Sequence, residues 1–247
     1  MRIGAQLYTV RDFTKDLESF SETLKRVADI GYEYVQVSGT CEYDGAWLAE
    51  ELKKSGLKCP LTHYDRDQIR TNTDAVIAKH KEFGCDYIGI GWYDLKNRTV
   101  ADFLEDFKDV SKKINDSGLA LSYHNHDFEF GKAASGKTFL AEIVDAFTPE
   151  QLKFTLDTFW VQAGGGDPAW WINELKGRTP CVHFKDMSYD KRMEPVGYGN
   201  MNFDAIIKAT IDAGVDYAFV EQDRCYEEDP FKCLEMSYNF LKSRGLN

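Results

Sequence analysis

Ala28-Asp-Ile-Gly31-Tyr-Glu-Tyr-Val35 runs from the end of a helical pattern into a β-rich stretch through a single glycine. The same phrase returns at Lys53-Lys-Ser-Gly56-Leu-Lys-Cys59 and at Lys81-Glu-Phe-Gly84-Cys-Asp-Tyr-Ile88. It occurs again at Asn115-Asp-Ser-Gly118-Leu-Ala-Leu121 and at Ile211-Asp-Ala-Gly214-Val-Asp-Tyr-Ala218. Glycine takes the left-handed conformation that closes a helix, so each instance marks a helix ending and a strand beginning.

Working outward from these junctions gives eight strands, ending near Tyr8, Ser38, His63, Gly91, His124, Asp157, Lys185 and Glu221. Amphipathic helices lie between them. Phe20, Leu24, Val27 and Ile30 share one face of 17–30, and Phe103, Phe107, Val110 and Ile114 share one face of 103–114. A last helix is expected over about 230–243. Parallel strands require crossover helices, so eightfold alternation predicts an α/β fold of the single (β/α)8 TIM barrel type. An open doubly wound sheet is the alternative, but no glycine-rich dinucleotide loop follows the first strand. No linker or low-complexity tract divides the chain, and one domain spanning residues 1–247 is expected.

The formal net charge of −11 repels phosphate backbones and anionic membranes, which argues against nucleic acid or a membrane as partner. No apolar run approaches the roughly 18 residues of a membrane span, and Met1-Arg2-Ile3-Gly4 leads directly into a strand. The six cysteines are scattered, with Cys59, Cys85 and Cys181 in or beside apolar strands. Buried free thiols and a cytoplasmic location are expected. Homo-oligomerisation is left open.

In a parallel barrel the active site lies at the C-terminal strand ends, so the polar residues there outline a pocket. They are Gln6 and Tyr8, Gln36, His63, Trp92 or Tyr93, His124 and His126, Asp157, His183 and Lys185, and Glu221 with Asp223. Asp157, His183 and Glu221 end three consecutive strands, and hard oxygen donors beside an imidazole suit a divalent cation. Mn²⁺ is favoured, with Mg²⁺, Co²⁺ or Zn²⁺ also accommodated. Gln6, Tyr8, His63, Trp92, Trp160 and Asp223 are the expected substrate-binding residues. His80, inside a helix over 73–83, reads as surface. Gly164-Gly-Gly166-Asp-Pro168 reads as a flexible loop entering a helix, without the Lys-Ser/Thr of a phosphate loop. Gly197-Tyr-Gly199 reads as a turn that sets up the helix at Phe203.

The order His124-Asn-His126, Leu156-Asp157-x-x-Trp160, His183-x-Lys185-Asp186 and Val220-Glu-Gln-Asp223 resembles the sugar phosphate isomerase/epimerase superfamily. That group comprises the xylose isomerase-like barrels, inosose dehydratase-type lyases and endonuclease IV nucleases. The resemblance spans the chain from Ile3-Gly-Ala-Gln-Leu-Tyr8 onward. It implies a divalent metal held by Glu, Asp, His and Glu from strands five to eight, the last three matching Asp157, His183 and Glu221. The first glutamate is missing, and Tyr123-His-Asn-His-Asp-Phe-Glu129 stands in its place. Either Glu129 folds back to the metal or His124 fills the position. Glu129 preserves the carboxylate count and is the expected ligand.

The resemblance further implies a metal-dependent isomerase, epimerase or dehydratase-type lyase acting on a sugar, keto-sugar or cyclic polyol. A proton α to a carbonyl leaves while the resulting negative charge is stabilised. His124, His126 and Glu221 are the candidate bases, and Lys185 would neutralise developing charge. An endonuclease IV-like nuclease and a non-catalytic sugar-binding barrel are the alternatives. Five histidines and the acidic charge argue against the first, and intact Asp157, His183 and Glu221 argue against the second.

Overall fold

A computed structural model describes residues 1–246. Eight parallel strands close into a barrel: β1 (Arg2–Gln6), β2 (Tyr34–Val37), β3 (Lys58–Tyr64), β4 (Tyr87–Ile90), β5 (Ala120–His124), β6 (Lys153–Asp157), β7 (Cys181–Phe184) and β10 (Tyr217–Val220). Each pairs with its sequence neighbour, and β10 closes the ring on β1. Between β7 and β10 the chain adds a short antiparallel ribbon, β8 (Asp186–Met187) with β9 (Met193–Glu194), which the strand-counting did not foresee. This is a single (β/α)8 TIM barrel. Among the described residues no helix is long and apolar enough to cross a membrane.

The helical layer forms as its periodicity requires. Helix α1 (Leu17–Ile30) starts on a capping box between Asp16 and Ser19 and buries Phe20, Leu24 and Val27. Helix α5 (Val100–Asp116) starts on a second box, Thr99 with Asp102, and buries Phe103, Phe107 and Ile114. All five junction glycines adopt positive φ, from 69° at Gly56 to 118° at Gly31. At Gly31 a side chain is doubly excluded, because a Cβ would also stand 2.6 Å from the Tyr238 hydroxyl. The last helix, α10, covers Pro230–Ser243 as expected.

His80 is not at the surface. Helix α4 (Thr73–Glu82) turns Val76, Ile77 and His80 toward the strands, and the imidazole is fully buried. Its Nε2 lies 2.8 Å from Thr62 Oγ1 and its Nδ1 2.7 Å from the Val76 carbonyl. Burial pushes it down to about 4, so it is a neutral, satisfied core residue.

Inside the barrel, Leu61, Cys181 and Phe219 form an apolar plug backed by Tyr34, Tyr87 and Tyr217. Side chains two residues apart share a strand face, so one pleat further on the same strands present His63, His183, Glu221 and Gln36. By the same parity Ser122 precedes His124 and Thr155 precedes Asp157, with the two hydroxyls 3.0 Å apart below them. A polar ring therefore sits on an apolar floor at the C-terminal mouth. Gly89 of β4 and Gly91 just after that strand lie here. A Cβ on Gly91 would stand 3.0 Å from His63 Nδ1, and one on Gly89 would run into the Thr62 carbonyl and stand 2.9 Å from the His63 ring. Gly89→Ala should lower the unfolding free energy by about 3 kcal/mol, read as a shift in urea midpoint at unchanged m-value.

Candidate metal centre

His124, Asp157, His183 and Glu221 each offer one donor atom, and the four atoms lie within 4.8 Å of one another. All four residues are buried. Each is aimed by a contact on its far side. Asp157 caps α7 (Thr158–Ala163), its Oδ1 accepting from Trp160 N at 2.9 Å, which leaves Oδ2 facing the cluster. The Asp157 backbone N donates to Asn125 Oδ1 at 3.0 Å. His124 sets Nδ1 3.3 Å from the Gly91 carbonyl and Nε2 3.3 Å from Asp157 Oδ2, so the two contacts fix the plane of its ring. His183 sets Nε2 2.6 Å from Gln36 Oε1 and turns Nδ1 toward Glu221 Oε2 at 2.9 Å. An outer partner that fixes the ring of an imidazole ligand is the usual support of a metal site.

Two carboxylates and two imidazoles converging at this spacing suit a divalent transition ion. Buried polar atoms with no partner surround the group, among them Gln6 Nε2, Gln36 Nε2 and His63 Nε2. Such atoms are expected where a site is completed by an ion, its waters or a substrate.

The cluster carries its own counter-charge. Buried Lys185 places Nζ 3.5 Å from Asp157 Oδ2, 3.2 Å from Glu221 Oε2 and 2.7 Å from Asp223 Oδ1. Burial opposes its ammonium, but the three carboxylates win and raise its pKa. Burial likewise opposes the Asp157 and Glu221 carboxylates, and Lys185 with the neighbouring imidazoles holds both below the ordinary range. His183 resists burial through Glu221 and Asp157 and is raised to about 9. Metal binding at His183 must therefore displace a proton.

Glu129 does not join the group, correcting the ligand expected from the sequence. Tyr123 and His124 point to opposite faces of β5, and Glu129 follows Tyr123 outward. Its Oε1 accepts from the Tyr123 hydroxyl at 2.5 Å and its Oε2 from the His126 backbone N at 2.9 Å. His124 on the inner face takes the fourth place. Strand parity, with Ser122 and His124 inward, is the signal that would have found it.

The other anticipated residues line one cavity of about 530 Å³ over the cluster. Tyr8, His63, Trp92, His126, Trp160, Lys185 and Asp223 all border it. Gln6 lies deeper, its Oε1 accepting from Tyr8 N at 3.2 Å. His126 presents an unpartnered buried Nδ1, and Trp160 an unpartnered Nε1, with their rings 5.4 Å apart. Burial, reinforced by His124, pushes His126 down to about 3 and keeps it neutral. Arg66, absent from the sequence-based site, lies 4.9 Å over the Trp92 ring with a buried, unpartnered Nη1. The Gly197-Tyr-Gly199 turn binds an anion of its own chain. Asp186 Oδ2 accepts from Gly197 N and Gly199 N at 2.9 and 3.0 Å, which anchors the turn before the helix at Phe203. Gly164 and Gly166 pack against Phe130, where a Cβ on Gly166 would stand 2.8 Å from the ring.

The family model of the xylose isomerase-like TIM barrel matches residues 24–232. Among solved structures, a sugar phosphate isomerase/epimerase from Parabacteroides distasonis superposes with a TM-score of 0.85 at 20% identity, covering 98% of this chain and 93% of that one. An L-ribulose 3-epimerase superposes at 0.75 and 18% identity, covering 98% and 93%. An IolI protein with a bound zinc atom superposes at 0.71 and 16% identity, covering 98% and 97%. At these identities the likeness speaks for the fold. No curated protein sequence matches the chain.

Two measurements follow from the geometry. His124→Ala should weaken binding of a divalent ion, followed by calorimetry, at least tenfold, and Glu129→Gln should leave it within about twofold. Burial raises Glu129 to about 7 from the usual 4.5, against the pull of its two donors. The folded state then holds this proton more tightly than the unfolded chain, so the contribution is complete below pH 4.5 and fades as pH rises through about 7. Between pH 5 and 8 the native protein should lose roughly 2 kcal/mol relative to Glu129→Gln in urea unfolding.

Proposed function

The chain belongs to the xylose isomerase-like TIM barrel family, and we propose that it is a divalent-metal-dependent sugar isomerase, epimerase or lyase. The observation that carries this reading is the buried His124, Asp157, His183 and Glu221 group with the Lys185 ammonium beside it on a cavity floor. Solved relatives of the same fold include proteins described as an L-ribulose 3-epimerase, a D-allulose 3-epimerase and a probable 3-DHS dehydratase. A divalent ion held by those four residues would polarise a carbonyl and lower the cost of the charge left when an α-proton departs.

The chain's own groups divide the remaining work. Glu221, kept ionised by Lys185 and His183, is the proton acceptor of the proposal. Lys185 places a fixed positive charge next to the oxygen on which negative charge grows. His126, neutral and unpartnered at Nδ1, accepts from a substrate hydroxyl, and the adjacent Trp160 Nε1 donates to one. His124, given as a possible base by the sequence, joins the ion-holding set instead. Trp92, Trp160 and Tyr8 offer flat faces to a sugar ring. With two imidazoles in the donor set, Zn²⁺ and Mn²⁺ fit better than Mg²⁺. The net charge of −11, and one such donor group among the described residues, weigh against a nuclease that needs several ions.

In deuterated water, with Mn²⁺ and a panel of ketoses, inososes and 3-keto-glycosides, the enzyme should exchange the hydrogen α to the carbonyl for deuterium. Chelator should abolish the exchange and metal restore it. Lys185→Met should cut the exchange rate roughly 100-fold with a small effect on KM. Absence of exchange and elimination across the panel would favour the binding-barrel alternative.

A further inference from the structure

Two pairs of cysteine side chains stand in hydrogen-bond contact. Cys59 on β3 meets Cys85 just before β4, and Cys225 in the loop after β10 meets Cys233 in α10. The first pair is sealed. Both residues are buried, and each thiol also donates to a backbone carbonyl, Cys59 to Leu61 O at 3.3 Å and Cys85 to Tyr87 O at 3.2 Å. The second pair is open on one side, with Cys233 buried and Cys225 part-exposed. Of the remaining free thiols, Cys181 is buried and Cys41 is part-exposed. Cys225 is therefore the cysteine that combines access to solvent with a second thiol in contact.

The backbone holds one of these two sulfurs still and lets the other move. Cys233 N donates to Asp229 O at 3.0 Å, and Asp229 caps α10 through Phe231 N at 2.9 Å. The Cys233 carbonyl accepts from Ser237 Oγ at 2.8 Å, and that hydroxyl accepts in turn from Val196 N at 2.9 Å. Cys225 instead opens a turn, closed by Glu228 N donating to Cys225 O at 3.0 Å, with residues 226–229 exposed. A disulfide requires sulfurs about 2.05 Å apart, so a hydrogen-bonded pair must close by roughly 2 Å, a shift an exposed turn can supply. The shared hydrogen bond also divides the labour. As its donor, and through burial, the Cys225 thiol is raised above its ordinary range, and as its acceptor Cys233 is lowered. Thiol–disulfide exchange runs through the thiolate, which this contact favours on one member of the pair.

We propose that Cys225 and Cys233 form a reversible dithiol–disulfide site, oxidised by a low-molecular-weight disulfide such as glutathione disulfide, whose bond staples the loop after β10 to α10. The Cys225 sulfur attacks one sulfur of the oxidant while its proton passes along the hydrogen bond to Cys233. A mixed disulfide forms at Cys225 and the first glutathione leaves as a thiolate. Cys233 then gives up its proton and attacks the Cys225 sulfur, closing the internal bond and expelling the second glutathione. The protein loses two electrons and two protons, and both appear on two molecules of glutathione thiol. The stapled loop follows directly on the mouth of the barrel. Asp223 Oδ1 lies 2.7 Å from Lys185 Nζ, and Gln222 Nε2 donates to Arg224 O at 3.1 Å. Oxidation at 225 thus stiffens the segment that carries the carboxylate partner of Lys185.

The test is to incubate the folded, reduced chain with glutathione disulfide in the absence of oxygen, block the remaining thiols by alkylation, and map tryptic peptides without reduction. Trypsin cuts after Arg224 and Lys232, so the expected product is peptide 225–232 joined to peptide 233–242, released by dithiothreitol. Cys59 and Cys85 should stay unlinked. Cys233→Ser should stop at the first step and carry a lasting glutathione adduct on Cys225. In the linked wild-type protein, amide hydrogen exchange over residues 224–229 should slow at least about tenfold relative to the reduced protein. Wild-type protein that keeps glutathione on Cys225 without closing the bond would overturn the proposal. So would a thiol pair that does not react, a 59–85 link formed in equal yield, or amide exchange that is the same in linked and reduced protein. None of these readouts requires turnover, so the outcome is independent of the reaction proposed for the barrel mouth.

Discussion

Two carboxylates, Asp157 and Glu221, are buried at the mouth of the barrel, and a buried charge requires a partner within a few ångströms. Lys185 answers both at once, and His183, raised to about 9, supplies further positive charge beside them. Much of the surrounding structure serves this arrangement. Gln36 and the Gly91 carbonyl turn the two imidazoles, the first turn of α7 occupies the other oxygen of Asp157, and Gly89 and Gly91 leave room for the His63 ring. A metal ion would enter a set of donors already aimed, at the expense of a proton on His183 and in competition with an ammonium.

The fold was legible because its punctuation is local. Five helix-terminating glycines, each with positive φ, mark five of the junctions, and strand ends rich in His, Asp and Glu mark the mouth. Asp157, His183 and Glu221 were readable for the same reason, being the last or next residues of their strands. Glu129 lies apart from the group although a carboxylate count points to it, because strand parity decides which side chains face inward. Residues two apart share a face, and that rule places Ser122 and His124 inside and Tyr123, with its Glu129 partner, outside. His80 is polar and so looks like a surface residue by type, but Val76 and Ile77 mark its helix face as inward.

What sequence could not reveal depends on contacts between distant segments. Gln36 meets His183 across 147 residues, and Arg11 meets the Asp223 carbonyl across 212. The cavity over the donor group is assembled from strand ends and loops spread from Tyr8 to Asp223, and no local pattern announces it. The ribbon itself, two residues a side, is too short for periodicity to detect. Its anchor, the Asp186 carboxylate wrapped by backbone amides of 197–201, is visible only once the turn has closed on it.

The central claim is that one divalent ion lies among His124, Asp157, His183 and Glu221. An anomalous difference map from crystals grown with Mn²⁺ tests it most directly. The expected result is a single strong peak enclosed by those four side chains, with Glu129 still bonded to Tyr123 and Lys185 drawn toward Asp223. A map with no peak there, the Lys185 ammonium still lying between Asp157 and Glu221, or a peak that includes Glu129 in place of His124, would contradict it.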